Sequence, residues 1–394
     1  MSAEAKVAYP LFDHHYIASD GTAQVHWITG RIDAARDWIA NEHRLMRGDA
    51  LVPATGFIEL IRAALVEVGE GEGTWRLSAL TFLQPFYVPD GGSRPWRIRL
   101  HGNPGRWRVE LFIGFGAEST SHWEAVGTCR VNAAAVDVPR VDLAAIARRC
   151  SHRIESASGE ASLRTRQEAH LHFGPRWRVL YDLRFGEGEA LAQLRLPIAL
   201  RDDLVVFHTH PGLLDIATGC AMDLIPGYRE QETPENLWVP LGYAGYHQLR
   251  PLPAEFASHV RLSADSSLAS GFATFDVTLI DHDGSVLAQI DQLQLRRIDG
   301  ELPRPRREFE TPVTTATERS RAHGPAERAL AHNLTRGISE AEGVAVLQRA
   351  LAHVDRAVLI ASPFRPRDLV RQADAVARVA QSSDDARFAR PQLD

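Results

Sequence analysis

Two side chains in this sequence are well suited to acid–base chemistry on one substrate: His43 and Asp215, about 170 residues apart. Imidazole titrates near neutrality and can take a weakly acidic proton, while a carboxyl kept protonated can give one to a departing oxygen. Acting on neighbouring carbons, such a base and acid would remove water reversibly from a β-hydroxyacyl thioester. An unperturbed aspartate, with a pKa of about 4, would be ionised at neutral pH, so the site has to raise it by desolvation. Leu213, Leu214 and Ile216 provide apolar material around Asp215 in the sequence.

The elements that would carry these groups form a pattern written twice. His43 stands ahead of a segment at 54–68 that puts Phe57, Ile61, Ala64, Leu65 and Val68 on one helical stripe, with Pro53 just before it. Alternating stretches follow at Trp96-Ile98-Leu100, at Val109-Leu111-Ile113 and over Val126 to Val131, with a turn at Asn103-Pro104-Gly105. Asp215 lies one turn into a second helical stripe at 212–225, carried by Leu213, Ala217, Cys220, Ala221 and Leu224. Strand patterns recur at Val260-Leu262, Phe275-Val277-Leu279 and Val286 to Leu295, with Asp283-Gly284 marking a hairpin. A linking helix is expected at 142–152 and an exposed polar connector at 155–168. A helix followed by strands, twice, fits two sheets each wrapped around a central helix; a generic α+β protein without duplication fits the periodicity equally well.

Composition narrows the class. The 394 residues suffice for two or three compact units, and a net charge of -6 argues against a nucleic-acid surface. Lys6 is the only lysine, so nearly all positive charge is arginine. Cys129, Cys150 and Cys220 form no CxxC pair and read as reduced thiols of a cytoplasmic protein. No apolar run approaches the roughly 18 residues that span a bilayer, so no membrane role is expected. His208 and His210 make an HxH without a third ligand at metal-binding spacing, and no metal is expected. His14-His15 reads as an exposed pair. Gly114-Phe115-Gly116 lacks the following helix and distal acid of a dinucleotide loop.

Three ordered motifs carry a family resemblance over about residues 8–299. His43-Arg-Leu-Met-Arg-Gly48-Asp-Ala-Leu-Val-Pro53 resembles the HxxxGxxxxP signature of dehydratase domains in bacterial modular polyketide synthases. His210-Pro211-Gly212-Leu213-Leu214-Asp215 resembles the HPxLLD start of that family's DxxxQ/H motif, and Phe173-Gly174-Pro175 its YGP tripeptide. YPLF at 9–12 and Trp238-Val239-Pro240 resemble flanking family text. The resemblance implies an α+β double hotdog with its active site in a tunnel between the halves: residues 1–140 with the histidine, a linker at 141–168, and 169–300 with the aspartate. It implies that His43 removes the C2 proton of an acyl chain and Asp215 protonates the departing C3 hydroxyl. Gly48, Pro53, Ala54, Phe173, Gly174, Pro175 and Gly219 would line the substrate, with the Ala54 amide at the helix start stabilising enolate charge on the thioester oxygen. No dissociable cofactor is implied, because the phosphopantetheine arm belongs to an acyl carrier protein. Neighbouring synthase domains and a homodimer are the other implied partners.

Three departures from the family pattern bear on that reading. One extra residue lies between His43 and Gly48, which would bulge a loop. Phe173 replaces a tyrosine and removes its hydroxyl. Gly219 occupies the glutamine or histidine slot, one turn from Asp215 on the same face, so it cannot orient the carboxyl; Thr218 or water would have to. In a helix interior the glycine also costs about 1 kcal/mol relative to alanine. The alternatives are a dehydratase-like cyclase closing an oxygen ring by conjugate addition, an enoyl isomerase, a non-catalytic degenerate domain, and a hotdog thioesterase. Beyond residue 300 the chain turns rich in Pro, Arg, Glu and Thr and reads as a linker to 338, then helix at 339–353, strand at 356–361 and helix at 366–380. The 339–394 piece is similar to the end of a polyketide ketoreductase without its nucleotide loop or catalytic Tyr/Lys, and its closing FARPQLD resembles the lead-in to a carrier protein.

Overall fold

A computed structural model of the chain describes residues 3–302, apart from 6, 21–22, 72–74, 116–121, 135–136, 160, 232, 234 and 301. The expectations for 303–394 lie outside the described residues. The first half contributes β1 (Ala3–Ala5), β2 (His14–Asp20), β3 (Ala23–Asp33), α1 (Trp38–Asn41), β4 (His43–Leu45), β5 (Ala50–Val52), α2 (Ala54–Glu67), β6 (Trp75–Phe82), β7 (Phe86–Val88), β8 (Ser93–Asn103), β9 (Arg106–Phe115) and β10 (His122–Ala133). The second contributes α3 (Leu143–Arg149), β11 (Arg153–Ser156), β12 (Leu171–Phe173), β13 (Leu180–Phe185), β14 (Glu189–Arg195), α4 (Pro211–Gly219), β15 (Leu237–Gln248), β16 (Glu255–Leu262), β17 (Phe272–Ile280) and β18 (Val286–Ile298).

The architecture is a double hotdog. Fourteen of its strands join in one antiparallel sheet, ordered β1-β2-β3-β8-β9-β10-β6 and continuing through β15-β18-β17-β16-β14-β13-β11. The halves meet where β6 pairs with β15, placing Leu77 opposite Tyr246 and Thr81 opposite Gly242. Alternation along β8, from buried Trp96 through Ile98 to Leu100, turns one face of the sheet onto the helices. Residues 55–65 of α2 are all buried, as befits a helix enclosed on every side rather than an amphipathic surface one. One apolar core runs through both halves.

Three pieces of polar chemistry tie α2 to α4 and to the segment that leads into it. The Thr55 hydroxyl donates to the Pro211 carbonyl at 3.0 Å. Glu59, fully buried on α2, accepts from Arg62 at 2.7 Å, from the Tyr9 hydroxyl at 3.0 Å and from the Thr209 amide at 2.8 Å. The Arg62 guanidinium reaches on to the Val206 carbonyl at 3.1 Å. A second, four-stranded sheet, β12-β4-β5-β7, also crosses between halves and pairs Phe173 directly opposite His43.

Three expectations need correcting. The helical stripe at 212–225 is helical only to Gly219 and tightens to a 3-10 turn at Met222–Leu224 before Pro226. Glycine's poor helix propensity and the proline downstream account for the early end. The polar connector contains an edge strand, β11, paired with β13 from Arg153↔Phe185 to Ser156↔Asp182. Its side chains are mostly exposed, so no apolar alternation announced it. His15 is buried rather than exposed, with Nε2 2.8 Å from His26 Nδ1 and Nδ1 3.5 Å from Glu67, because β2 turns that face inward. The extra residue between His43 and Gly48 is absorbed in the β4–β5 turn, where the Gly48 amide donates to Leu45 O at 2.8 Å and glycine takes a φ of 102°.

Candidate active site

His43 begins β4, and the backbone there fixes its chemistry. Nδ1 lies 3.1 Å from the Leu51 carbonyl. A carbonyl only accepts, so Nδ1 carries the hydrogen, leaving the Nε2 lone pair free. Nε2 points at Asp215 Oδ2, 3.8 Å away. Phe173, held opposite by the strand pairing, stacks on the imidazole at 5.6 Å between centroids and 25° between planes.

Asp215 comes from α4. His210 caps this helix, its Nδ1 accepting from the Leu213 amide at 3.2 Å, and its ring stacks on Trp38 at 5.1 Å. No group of three potential metal ligands gathers among the described residues. Asp215 keeps 25% of its side-chain exposure, which faces the cavity it lines. Burial pushes its carboxyl above the ordinary range, against the pull of His43 and of a hydrogen bond from the Trp177 indole. The same burial holds the His43 imidazole below its ordinary range, opposed by Asp215 and by the Leu51 carbonyl. A neutral base therefore faces a carboxyl biased towards its protonated form, across a gap too long for a hydrogen bond.

Trp177 is the residue that sequence reasoning missed. Its Nε1–H donates to Asp215 Oδ2 at 2.8 Å, and its ring lies 5.7 Å from the His43 ring. One buried indole thus touches both groups without lining the cavity. The expected stand-in, Thr218, spends its hydroxyl on the Leu214 and Asp215 carbonyls at 2.9 and 3.2 Å. The only signal for Trp177 was a donor-bearing aromatic two residues past Pro175. Arg176, beside it, binds Glu42 at 2.5 Å and Asp203 at 2.6 Å, so the neighbours of His43 and Trp177 are tied together by charge.

The cavity encloses about 120 Å³, a narrow space that suits an extended chain better than a bulky ligand. Pro53, Ala54, Phe173 and Gly219 line it beside His43 and Asp215. At Gly219 an added Cβ would meet nothing within 4 Å, so the glycine leaves open room near the acid. It is the last residue of α4, so the cost expected for a helix interior does not fall on it in full. Gly48, Gly174 and Pro175 do not line the cavity. Gly48 shapes the β4–β5 turn, Gly174 packs against Glu42, whose side chain an added Cβ would strike at 2.4 Å, and Pro175 opens the 3-10 turn that carries Trp177. Tyr243 and Met222 are lining residues that no motif flagged. The space continues past His43, Pro53 and Ala54 into a second opening at Leu83, Gln84 and Arg296.

Comparison with known proteins gives the family and the fold. Two family models match: "Polyketide synthase dehydratase domain" over residues 10–113 and "Polyketide synthase dehydratase N-terminal domain" over 138–305. The chain belongs to the polyketide synthase dehydratase family. Among curated relatives, polyketide synthase PksM of Bacillus subtilis is 23% identical over 75% of this chain, and polyketide synthase GfsE of Streptomyces halstedii 29% identical over 68%. The chain spans about 7% of the length of either. Among solved structures, the dehydratase domain from the CurF module of the curacin polyketide synthase aligns with a TM-score of 0.62 at 20% identity, covering 74% of this chain and 99% of that one. The dehydratase domain of RzxB from Pseudomonas fluorescens aligns at 0.59 and 22% identity, covering 74% and 100%. These likenesses establish the shared double-hotdog fold.

Proposed function

We propose that this domain removes water from a β-hydroxyacyl thioester borne on the phosphopantetheine arm of an acyl carrier protein, giving the α,β-unsaturated thioester. The observation that carries the reading is the 3.8 Å approach of His43 Nε2 to Asp215 Oδ2 in an apolar cavity. His43 Nε2 takes the C2 proton, the C2 electron pair becomes the double bond, and the C3–O bond breaks as Asp215 protonates the departing hydroxyl. The turnover leaves an imidazolium facing a carboxylate, and return of one proton from the first to the second restores both groups. Charge on the thioester oxygen falls to the Ala54 N–H, which by its place in the first turn of α2 has no partner within the helix. The arm enters by the opening at Leu83, Gln84 and Arg296, and the acyl chain runs towards Gly219 and Met222. No dissociable cofactor is needed, and the working partners are the carrier protein, neighbouring synthase domains and a second copy of the chain.

The test is mass spectrometry of a 3-hydroxyacyl carrier protein after incubation with the chain. Loss of one water's mass is expected, abolished by His43→Ala and by Asp215→Asn with the fold intact; no loss with the parent chain, or equal loss with both variants, refutes the assignment. Positioned acid–base groups contribute about 10²–10⁴-fold, which sets the size of each variant's defect. The open space at Gly219 supports a second reading, a cyclase that adds a chain hydroxyl to the enoyl product. A product ring instead of a conjugated alkene would select it.

A further inference from the structure

Behind the acyl cavity lies a second one, and the two share a wall made by Thr165 and Met222. The far chamber is lined by Arg153, Arg164, Arg166 and Arg229 against two carboxylates, Glu155 and Asp223. Asp223 is bound by Arg153 at 2.7 Å and approached by Arg166 at 3.5 Å, and Glu155 lies 3.2 Å from Arg153. Arg164 leans on Glu168 at 3.8 Å with its side chain 77% exposed. Arg229 is exposed and has no carboxylate partner among the described residues. The lining charges leave an excess of guanidinium over carboxylate, so the chamber favours a ligand group that is anionic.

The partition joins two unlike residues. Met222 is buried and unbranched, with rotatable bonds that let it swing where a branched residue could not. Thr165 is 8% exposed and caps the 3-10 turn at Arg166–Ala169, in a capping box in which its amide donates to Glu168 Oε1 at 3.0 Å. On the near side, Gly219 removes any side chain that would narrow the path from Asp215 to Met222.

We propose that the arginine-lined chamber receives the distal end of a long acyl chain, that this end carries a carboxylate, and that Met222 is the movable partition that admits it. This inference rests on the reading of the first cavity as the acyl site. A chain ending in methyl would strip water from guanidinium groups without replacing its hydrogen bonds, so the chamber discriminates against it. A carboxylate would be met by charge-assisted bonds from the arginines.

The experiment uses the whole chain and two non-reacting ligands, dodecanoyl-pantetheine and its analogue ending in a carboxylate, with affinity measured by calorimetry. The carboxylate-ended ligand should bind about tenfold more tightly, the margin one charge-assisted bond supplies. Arg229→Gln should reduce that margin, Arg229→Lys should keep most of it, and Met222→Trp should close the route and erase it. Equal affinities in the parent overturn the proposal, as does a margin that survives both Arg229→Gln and Met222→Trp. If acetate alone binds as tightly as the long ligand and ignores Met222→Trp, the chamber is a free-anion site and the acyl assignment falls. Turnover of a 3-hydroxybutyryl thioester, with a single carbon beyond the reacting pair, reports separately on the proposed dehydration. Its failure beside an intact margin would sink that function and leave the chamber's ligand standing.

Discussion

Trp177→Phe removes one hydrogen bond and little else. The indole is 2% exposed and donates to Asp215 at 2.8 Å, yet it does not line the cavity. Asp215 has no side chain at position 219 to hold it, and Thr218 is occupied by backbone carbonyls. The bond from Trp177 is therefore the restraint that keeps the carboxyl aimed. A buried hydrogen bond to a charged group is worth about 1.5–3 kcal/mol, and each 1.36 kcal/mol is about tenfold in rate. The variant should lose about ten- to a hundredfold in kcat with KM nearly unchanged. The pH profile supplies a second, independent sign. The indole N–H favours the ionised carboxyl, so its loss should push the Asp215 pKa further up. Activity requires the protonated acid, so the alkaline limb should move to higher pH even as the maximum falls. General damage to the fold would lower the rate without that upward displacement. A kcat within about twofold of the parent, together with an unmoved alkaline limb, would refute the claim that Trp177 orients the acid.

Other consequences can be measured directly. In the parent, activity should fall on the acid side as His43 takes a proton, at a pH below that of a free imidazole, and on the alkaline side as Asp215 loses one, at a pH above that of a free carboxyl. The two groups interact, so a profile of kcat/KM against pH reports the pair, and a bell whose limbs survive in Asp215→Asn would contradict the assignment. Glu59→Ala strands the buried Arg62 guanidinium and frees Tyr9 and Thr209, so urea unfolding should show a loss of about 3–5 kcal/mol; a loss under about 1 kcal/mol would mean that the network contributes little. Gly219→Gln enters open space at the end of α4, so it should fold and gain up to about 1 kcal/mol in stability, read as a higher melting temperature. A lower melting temperature would show that the room beside Asp215 is filled by something other than solvent.

The sequence by itself determined the repeated plan and pointed to the two residues that the fold brings together. A helix enclosed by apolar contacts and strands with period-two burial are local properties, so α2, β8, β9, β17 and β18 could be read from spacing alone. His43 and Asp215 were legible because each sits in a short motif with its own fixed offsets. The tertiary structure alone decided what touches them. The i, i+4 rule pointed from Asp215 to position 219, which is empty, whereas the partner is Trp177, delivered by β12 pairing with β4 across the halves. The roles of Gly48, Gly174 and Pro175 were likewise settled by packing, since a motif records which residues recur together and not which of them reach the cavity. Burial of His15 and the edge strand at Arg153–Ser156 had no periodic signal to give them away. The chamber behind Met222 joins Arg153, Arg164 and Arg166 to Arg229 from a later segment, and only their convergence in space makes a site of them.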